Sequence, residues 1–406
     1  MRRFSCLLIT LLATPARGDD PKSAPPVSSI RGMIATTQAV VDRGQADRSR
    51  EYGKITAESI SDAEKLPKYE AATDRLHSMI TPPINDLLEA ASKQPADPAS
   101  VEALRFILIN ARGLTTGQVD RALFLLKRDH VRDSNMSTAL APLWIHHDKP
   151  EAIALLRAVA AENPSRTERG RGWYVLGYTL RLRLERVKRA LRNSPDQPLP
   201  PHLAGSDPVA LRAEAEAAYD RCLSEFADVP AFEDPSDPTS IGKTVGDFAR
   251  GELFEMRRLQ VGMEAPEITG QDIDGKPLRL GDHRGKVVVL VFSGEWCGPC
   301  KQAAKHFRDM LKPEARKTSP CVILEVNTDE TRQAVRNAID VGDITWPCWF
   351  DGSTSGPITM TWGVSSFPTI YVLDARGVIR AKDIRGEATA AAVAKVLAAN
   401  PSANQP

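Results

Sequence analysis

Val287-Val288-Val289-Leu290-Val291-Phe292-Ser293-Gly294-Glu295-Trp296-Cys297-Gly298-Pro299-Cys300 is the stretch on which the reading of this 406-residue chain turns. Its opening residues are β-branched or large and apolar without alternation, the pattern of a strand buried on both faces. The run stops at Ser293-Gly294, and a Cys-x-x-Cys follows where the next helix should begin. Pro299 suits a first helical turn, because the N–H it lacks would have no intrahelical partner there. Cys297 is thereby placed at a helix N-terminus, where unpaired N–H groups and the helix dipole favour a thiolate over a thiol. Cys300 lies one turn further in, close enough to attack a mixed disulfide on Cys297. Strand, CxxC and helix in that order read as a dithiol able to cycle, with Cys297 as nucleophile and Cys300 as resolving thiol.

The pattern around this stretch is mixed α/β. Asp272-Ile273-Asp274-Gly275 is a turn signal between two short strands, the second at Leu278-Arg279-Leu280. After Cys300 the spacing predicts a helix to about Leu311, a strand over Val322–Val326 and a helix over Thr331–Val341. A strand over Ile370–Leu373 then turns at Asp374-Ala375-Arg376-Gly377 into Val378–Ala381, and a helix over Ala388–Ala399 closes the chain.

Trp296-Cys297-Gly298-Pro299-Cys300 is similar to the WCGPC active site of the thioredoxin family. The sequence from about Val261 to Ala399 resembles the TlpA/ResA and AhpC/TSA-type (redoxin) branch of that superfamily, roughly a third of the chain. The resemblance implies a thioredoxin-like α/β domain over 260–400 with the element order β-β-β-α-β-α-β-β-α, and it makes Thr345–Trp362 the family's insertion. It also implies a thiol–disulfide oxidoreductase that needs no cofactor. Phe367-Pro368-Thr369 stands where such proteins place a cis-proline, although an X–Pro bond is ordinarily trans. Phe367 and Pro368 would then receive substrate backbone, with Trp296 as an apolar rim. The Gly298-Pro299 pair is the one found in reducing thioredoxins, which implies a reductant. By analogy the substrates include apocytochrome c or other envelope thiols. Two family acids are missing: Val291 stands where thioredoxin has a buried Asp, and Ala303 where ResA-like proteins have a Glu. The proton acceptor for Cys300 is thus unassigned, with Glu295 a weak candidate.

Residues 29–259 read as an all-α domain of roughly eight to ten helices. Apolar residues recur at three- and four-residue spacing, as at Leu87, Leu88 and Ala91 or Leu104, Ile107 and Leu108. Breaks are expected at Pro82-Pro83, Pro95–Pro98, Pro150 and Pro164. Trp173-x-x-Leu176-Gly177 matches the opening of a tetratricopeptide repeat, and Ala215 with Tyr219 its second helix. The separation exceeds the repeat length, so the reading is a degenerate array of helical hairpins, and an irregular bundle accounts for the same residues. Arg181–Arg192 carries six basic residues beside a Leu180, Leu184, Val187, Leu191 stripe, and reads as a solvated charged face.

Composition bounds the partners. With 42% hydrophobic and 26% charged residues and a net charge of +1, nothing electrostatic points to nucleic acid. No apolar run reaches the roughly 18–20 residues of a transmembrane helix. The N-terminus has a basic Arg2-Arg3, an apolar Phe4–Thr14 and small residues at Ala16 and Gly18, which together read as a signal peptide over 1–18. Residues 19–28 form a Pro- and Ser-rich disordered leader. The location implied is extracytoplasmic, periplasmic or cell-envelope. Export leaves Cys222, Cys297, Cys300, Cys321 and Cys348, one redox pair plus singles, with a second disulfide between Cys321 and Cys348 left open by spacing alone.

Rival chemistries lack their residues. A peroxiredoxin needs Thr three positions before its reactive Cys, where this chain has Gly294. Structural zinc needs a second ligand pair, which neither Cys321, Cys348 nor His146-His147-Asp148 completes at ligand spacing, so no metal is expected. The expected partners are protein disulfides or dithiols and an extracytoplasmic electron donor. The rival of another class is an envelope scaffold, whose helical domain binds a protein partner and whose redox domain is secondary.

Overall fold

The computed structural model describes residues 26, 28–110, 116–194, 196–232, 241–310, 321–364 and 366–399. The expected signal peptide and nearly all of the leader lie outside the described residues. Two compact units divide the chain between Gly246 and Asp247.

The first unit is helical, as its 3.6-residue periodicity requires. Helix α1 (Ile30–Ala57) starts at Ser29, whose hydroxyl accepts the Gly32 N–H. Helix α2 (Asp62–Lys93) starts at Ser61 in a reciprocal capping box with Glu64. It runs unbroken through Pro67, Pro82 and Pro83, which corrects the expected break at Pro82-Pro83. Each proline forfeits its own N–H bond and crowds the carbonyl one turn back. Leu76, Ile80, Ile84, Leu87, Leu88 and Ala91 stay buried along one stripe on both sides of the pair. That burial, about 1.5–3 kcal/mol for each large side chain, outweighs the lost bonds.

Helices α3 (Ala99–Asn110), α4 (Thr116–Leu125), the single turn α5 (Ser137–Leu140) and α6 (Pro150–Glu162) follow. Pro150 opens α6 from its first turn, where its missing N–H costs nothing. Helices α7 (Arg166–Asn193) and α8 (Pro208–Glu225) pack as a hairpin. A Cβ at Gly177 would come within 2.8 Å of the Tyr219 ring, so the glycine and tyrosine of the repeat-like match are packing partners. Arg183 differs from the solvated face expected of its segment. It is buried, and donates to the carbonyls of His147, Asp148 and His202 and to Ser206 Oγ, tying α7 to the loops beside it.

Helix α9 (Val245–Arg258) belongs, from Asp247 onward, to the second unit rather than to the helical domain drawn over 29–259. Phe254 and Leu259 pack into the sheet core, and Lys382 pairs with Glu255 at 2.9 Å. The second unit continues with the hairpin β1 (Thr269–Gln271) and β2 (Pro277–Arg279), which turns where Asp272–Gly275 predicted.

The unit then alternates β3 (Val287–Ser293), α10 (Gly298–Met310), β4 (Cys321–Asn327), α11 (Arg332–Asp340), β5 (Cys348–Phe350), α12 (Pro357–Thr361), β6 (Thr369–Leu373), β7 (Ile379–Lys382) and α13 (Glu387–Ala399). The five-stranded sheet has the order β5-β4-β3-β6-β7, with β4 parallel and β6 antiparallel to the central β3. Strand β5 and helix α12 fall inside the segment read as an insertion, so the expected order lacked one strand and one helix. Strand β5 has only three residues, and β4 supplies its partners: Glu325 N–H donates to Pro347 O and Asp351 N–H to Asn327 O.

Because strand side chains alternate, β3 divides two cores. Val287, Val289 and Val291 face a cluster with Ala303 and Phe307 of α10, Val335 and Ala338 of α11, and Val393 and Val396 of α13. Val288, Leu290 and Phe292 face the other, with Trp349, Trp362 and Tyr371. A strand apolar at every position is thus buried on both sides.

Candidate active site

Strand β3 ends at Ser293, and the next four residues carry the chain from the sheet edge into α10. Three bonds from the end of β4 hold this turn. Thr328 donates through its N–H (2.8 Å) and Oγ1 (2.7 Å) to Ser293 O, and the Asp329 carboxylate accepts the Glu295 N–H at 3.1 and 3.0 Å. The Trp296 indole folds back to donate to Thr328 Oγ1 at 3.3 Å. Gly294 makes room for that fold, since a Cβ there would lie 2.3 Å from the indole nitrogen.

Cys297 and Cys300 are joined as a disulfide with their Cα atoms 5.2 Å apart. Cys297 is the residue just before α10, and Cys300 sits in its first turn. The Cys300 N–H donates to Cys297 Sγ at 3.2 Å. That helix-terminal N–H, shared with Cys297 O at 3.0 Å, lowers the energy of a thiolate on the sulfur. The two cysteines are covered, at 5% and 4% exposed, whereas Trp296 beside them is 54% exposed.

Phe367 lies 71 positions further along the chain, yet its ring meets Trp296 edge-on at 5.2 Å between centroids. The Phe367–Pro368 bond is cis, and Pro368 leads directly into β6. The structure therefore pairs Trp296, the neighbour of Cys297 in the chain, with Phe367, whose bond to Pro368 is cis. Glu295, the weak candidate for proton acceptor, is instead paired with Lys301 at 3.3 Å.

Among the described residues the remaining cysteines, Cys222, Cys321 and Cys348, are free thiols. Cys321 pairs in register with Val287 and Cys348 with Glu325, four residues further along β4. At about 3.3 Å per residue the two cannot meet, which closes the second disulfide that spacing left open. Burial pushes the Cys321 thiol up to about 11 and Cys348 up to about 12, and raises Cys222 as well. A raised pKa removes the reactive thiolate at neutral pH. Brief iodoacetamide treatment of the fully reduced chain at pH 7.5 should therefore label Cys297 first and leave these three unmodified by peptide mass spectrometry. Labelling of Cys348 at a comparable rate would contradict the site as drawn.

Sequence reasoning missed one group, Glu325. It is 2% exposed on β4 and accepts from Ser293 Oγ (2.6 Å), Trp346 Nε1 (2.7 Å) and Asn327 Nδ2 (3.2 Å). Burial pushes its carboxyl above the ordinary carboxylate range, against the pull of those three donors. The available signal was a lone Glu in an apolar run flanked by strands, which has no solvent to face.

A disulfide-linked cysteine pair at a strand-to-helix turn, with a cis-proline leading into the strand beside it in a five-stranded mixed sheet, is the arrangement of a thioredoxin-like domain. Residues 261–382 match the AhpC/TSA family model. Thiol-disulfide oxidoreductase ResA of Bacillus thuringiensis subsp. konkukian is 31% identical over 140 residues, 34% of this chain and 78% of that protein. Thioredoxin-like protein YneN of Bacillus subtilis is 31% identical over 122 residues, 30% of this chain and 70% of that protein. Among solved structures, the thioredoxin domain of a thiol-disulfide oxidoreductase from Bacteroides vulgatus is 27% identical, covering 34% of this chain and 96% of that one, with a TM-score of 0.31. Through its second unit the chain belongs to the TlpA/ResA-like thiol–disulfide oxidoreductases of the thioredoxin superfamily.

Proposed function

We propose that this chain is exported and reduces disulfides of envelope proteins through Cys297 and Cys300, drawing electrons from an extracytoplasmic donor. The observation that carries the reading is the Cys297–Cys300 pair at the start of α10, with the Cys300 N–H on Cys297 Sγ. Cys297 attacks a substrate disulfide, one substrate sulfur leaves as thiolate, and Cys300 then attacks Cys297 Sγ to release the other. Two electrons pass to the substrate and the enzyme is left as the disulfide. Trp296, Phe367 and Pro368 form the surface that receives the substrate segment. The Gly298-Pro299 spacer favours the reducing direction, and the basic, then apolar N-terminus ending at Gly18 favours export. Among the described residues no helix is long and apolar enough to cross a membrane.

A second reading is kept by the size of the helical unit, which lies outside the 261–382 match. There the helices bind a protein partner and the redox unit is secondary. Expression of the full chain and of Cys300→Ser, with fractionation and acid-trapped alkylation, tests both. The proposal expects an extracytoplasmic product starting at Asp19, dithiol at steady state, and mixed disulfides on the Cys300→Ser form. A product retained inside with its N-terminus intact, or no mixed disulfides, would overturn it.

A further inference from the structure

Resolution by Cys300 releases a proton into a covered site. Cys300 is 4% exposed, and neither Val291 near the end of β3 nor Ala303 one turn along α10 carries an acid. A buried thiol with no base nearby would attack slowly, because the thiolate is the nucleophile.

The sheet provides a base from another strand. Val291 of β3 pairs in register with Glu325 of β4, and Glu325 with Cys348 of β5, so the three form one row on the same face of the sheet. That face is the one α10 covers. Cys300, Ala303, Ala304 and Phe307 are spaced i, i+3, i+4 and i+7, one stripe of the helix, and Ala303, Ala304 and Phe307 pack into the cluster that contains Val291, Ile323 and Cys348. Phe307 meets Trp346 edge-on at 6.0 Å, and Trp346 donates to Glu325. Ser293, which begins the turn to Cys297, donates to the other Glu325 oxygen. Glu325 thus lies one strand, about 4.8 Å, from Val291, on the sheet face covered by the helix that carries the dithiol.

We propose that Glu325 is the proton acceptor for Cys300, acting through the Ser293 hydroxyl that it holds. This rests on Cys297 and Cys300 being the exchanging pair. In the resolving step Cys300–SH, the Glu325 carboxylate and the Cys297 mixed disulfide become the Cys297–Cys300 disulfide, a neutral Glu325 and a substrate thiolate. The S–S bond to substrate breaks as the intramolecular one forms, and the proton rests on Glu325 until solvent or the departing thiolate takes it. A hydroxyl both donates and accepts, so Ser293 serves the charged and the neutral form alike. The titratable neighbours suit this task. Glu295 faces Glu325 from the turn before α10 and raises it further, Cys348 on β5 is a neutral thiol, and the charges that act on Cys348 beside Glu325 are Asp272 and Asp274 of the β1–β2 turn and Arg332 at the start of α11. Lys301 is engaged by Glu295.

The test uses the full reduced chain and 5,5′-dithiobis(2-nitrobenzoate) in stopped flow, where each thionitrobenzoate released is counted. The first release reports attack by Cys297 and the second reports resolution by Cys300. Glu325→Gln keeps the volume and removes the base. The proposal expects the second phase to slow at least about tenfold at pH 7 and to lose a pH-dependence that wild type shows, with the first phase changed less than about twofold. Equal slowing of both phases, or an unchanged second phase, would overturn it. If wild type releases only one equivalent, the pair does not resolve and the exchange reading itself fails, a separate outcome from the loss of Glu325's role. A second readout needs no variant. Time-resolved infrared spectra of wild type during the resolving step should show a transient protonated-carboxyl band that rises with the second release, and spectra without one rule out the transfer.

Discussion

Cys297→Ser lowers disulfide reduction by the full chain by roughly 10³-fold or more, measured as dithiothreitol-driven turbidity of insulin. Serine is close in size, so the fold survives, but a hydroxyl has no accessible anion at neutral pH and cannot form the mixed disulfide. Cys300→Ser behaves differently. It keeps the nucleophile, forms the mixed disulfide once and stalls, so it shows a stoichiometric adduct and little turnover. The contrast assigns the order of attack, which covered sulfurs alone leave symmetrical: the two residues are 5% and 4% exposed, and only the N–H bond to Cys297 Sγ separates them. If Cys297→Ser forms the adduct and Cys300→Ser does not, the roles are reversed.

Phe292→Ala destabilises the sheet unit by about 3–5 kcal/mol. Phe292 has no exposed surface and lies at the centre of the second core, 5.5 Å from the Trp362 ring and 6.3 Å from Tyr371. Truncation removes a large transfer term and leaves a cavity between aromatic rings that the flanking strands prevent from closing. Urea titration of the full chain, followed by the fluorescence of the tryptophans in this core, should show the midpoint of the sheet unit falling well below that of wild type. Because Phe292 precedes Cys297 by five positions and faces the core on the other side of β3 from α10, folded Phe292→Ala at low denaturant should still exchange disulfides. A loss below about 1 kcal/mol would mean that the core repacks around the gap.

Legibility in the sequence followed the range of the interaction. The strand at Val287, the CxxC and the helix after it are contiguous, and each residue's preference agrees with its neighbours', so they were readable one by one. Phe367-Pro368 was readable by resemblance, but its contact with Trp296 was set by the pairing of β6 with β3. Strand β5 was hidden because three residues after Pro347 carry too short a pattern, and their strand character comes from β4. Helix α2 passing Pro82-Pro83 and the buried Arg183 are cases of tertiary packing overruling a local signal. Glu325 showed only as a lone Glu in an apolar run: that it lies beside Val291 depends on the register of β3 and β4, which is not written in one strand alone.

The central claim is that Cys297 and Cys300 form a reversible, reducing pair, and its most direct measurement is their equilibrium potential in the full chain. Alkylation and peptide mass spectrometry across dithiothreitol and glutathione buffers would follow the two sulfurs together. The account predicts a single two-electron transition near about −270 mV, the value of thioredoxin. A value near about −120 mV, that of a strong disulfide donor, would contradict the direction of electron flow, and no transition at all would contradict the exchange site.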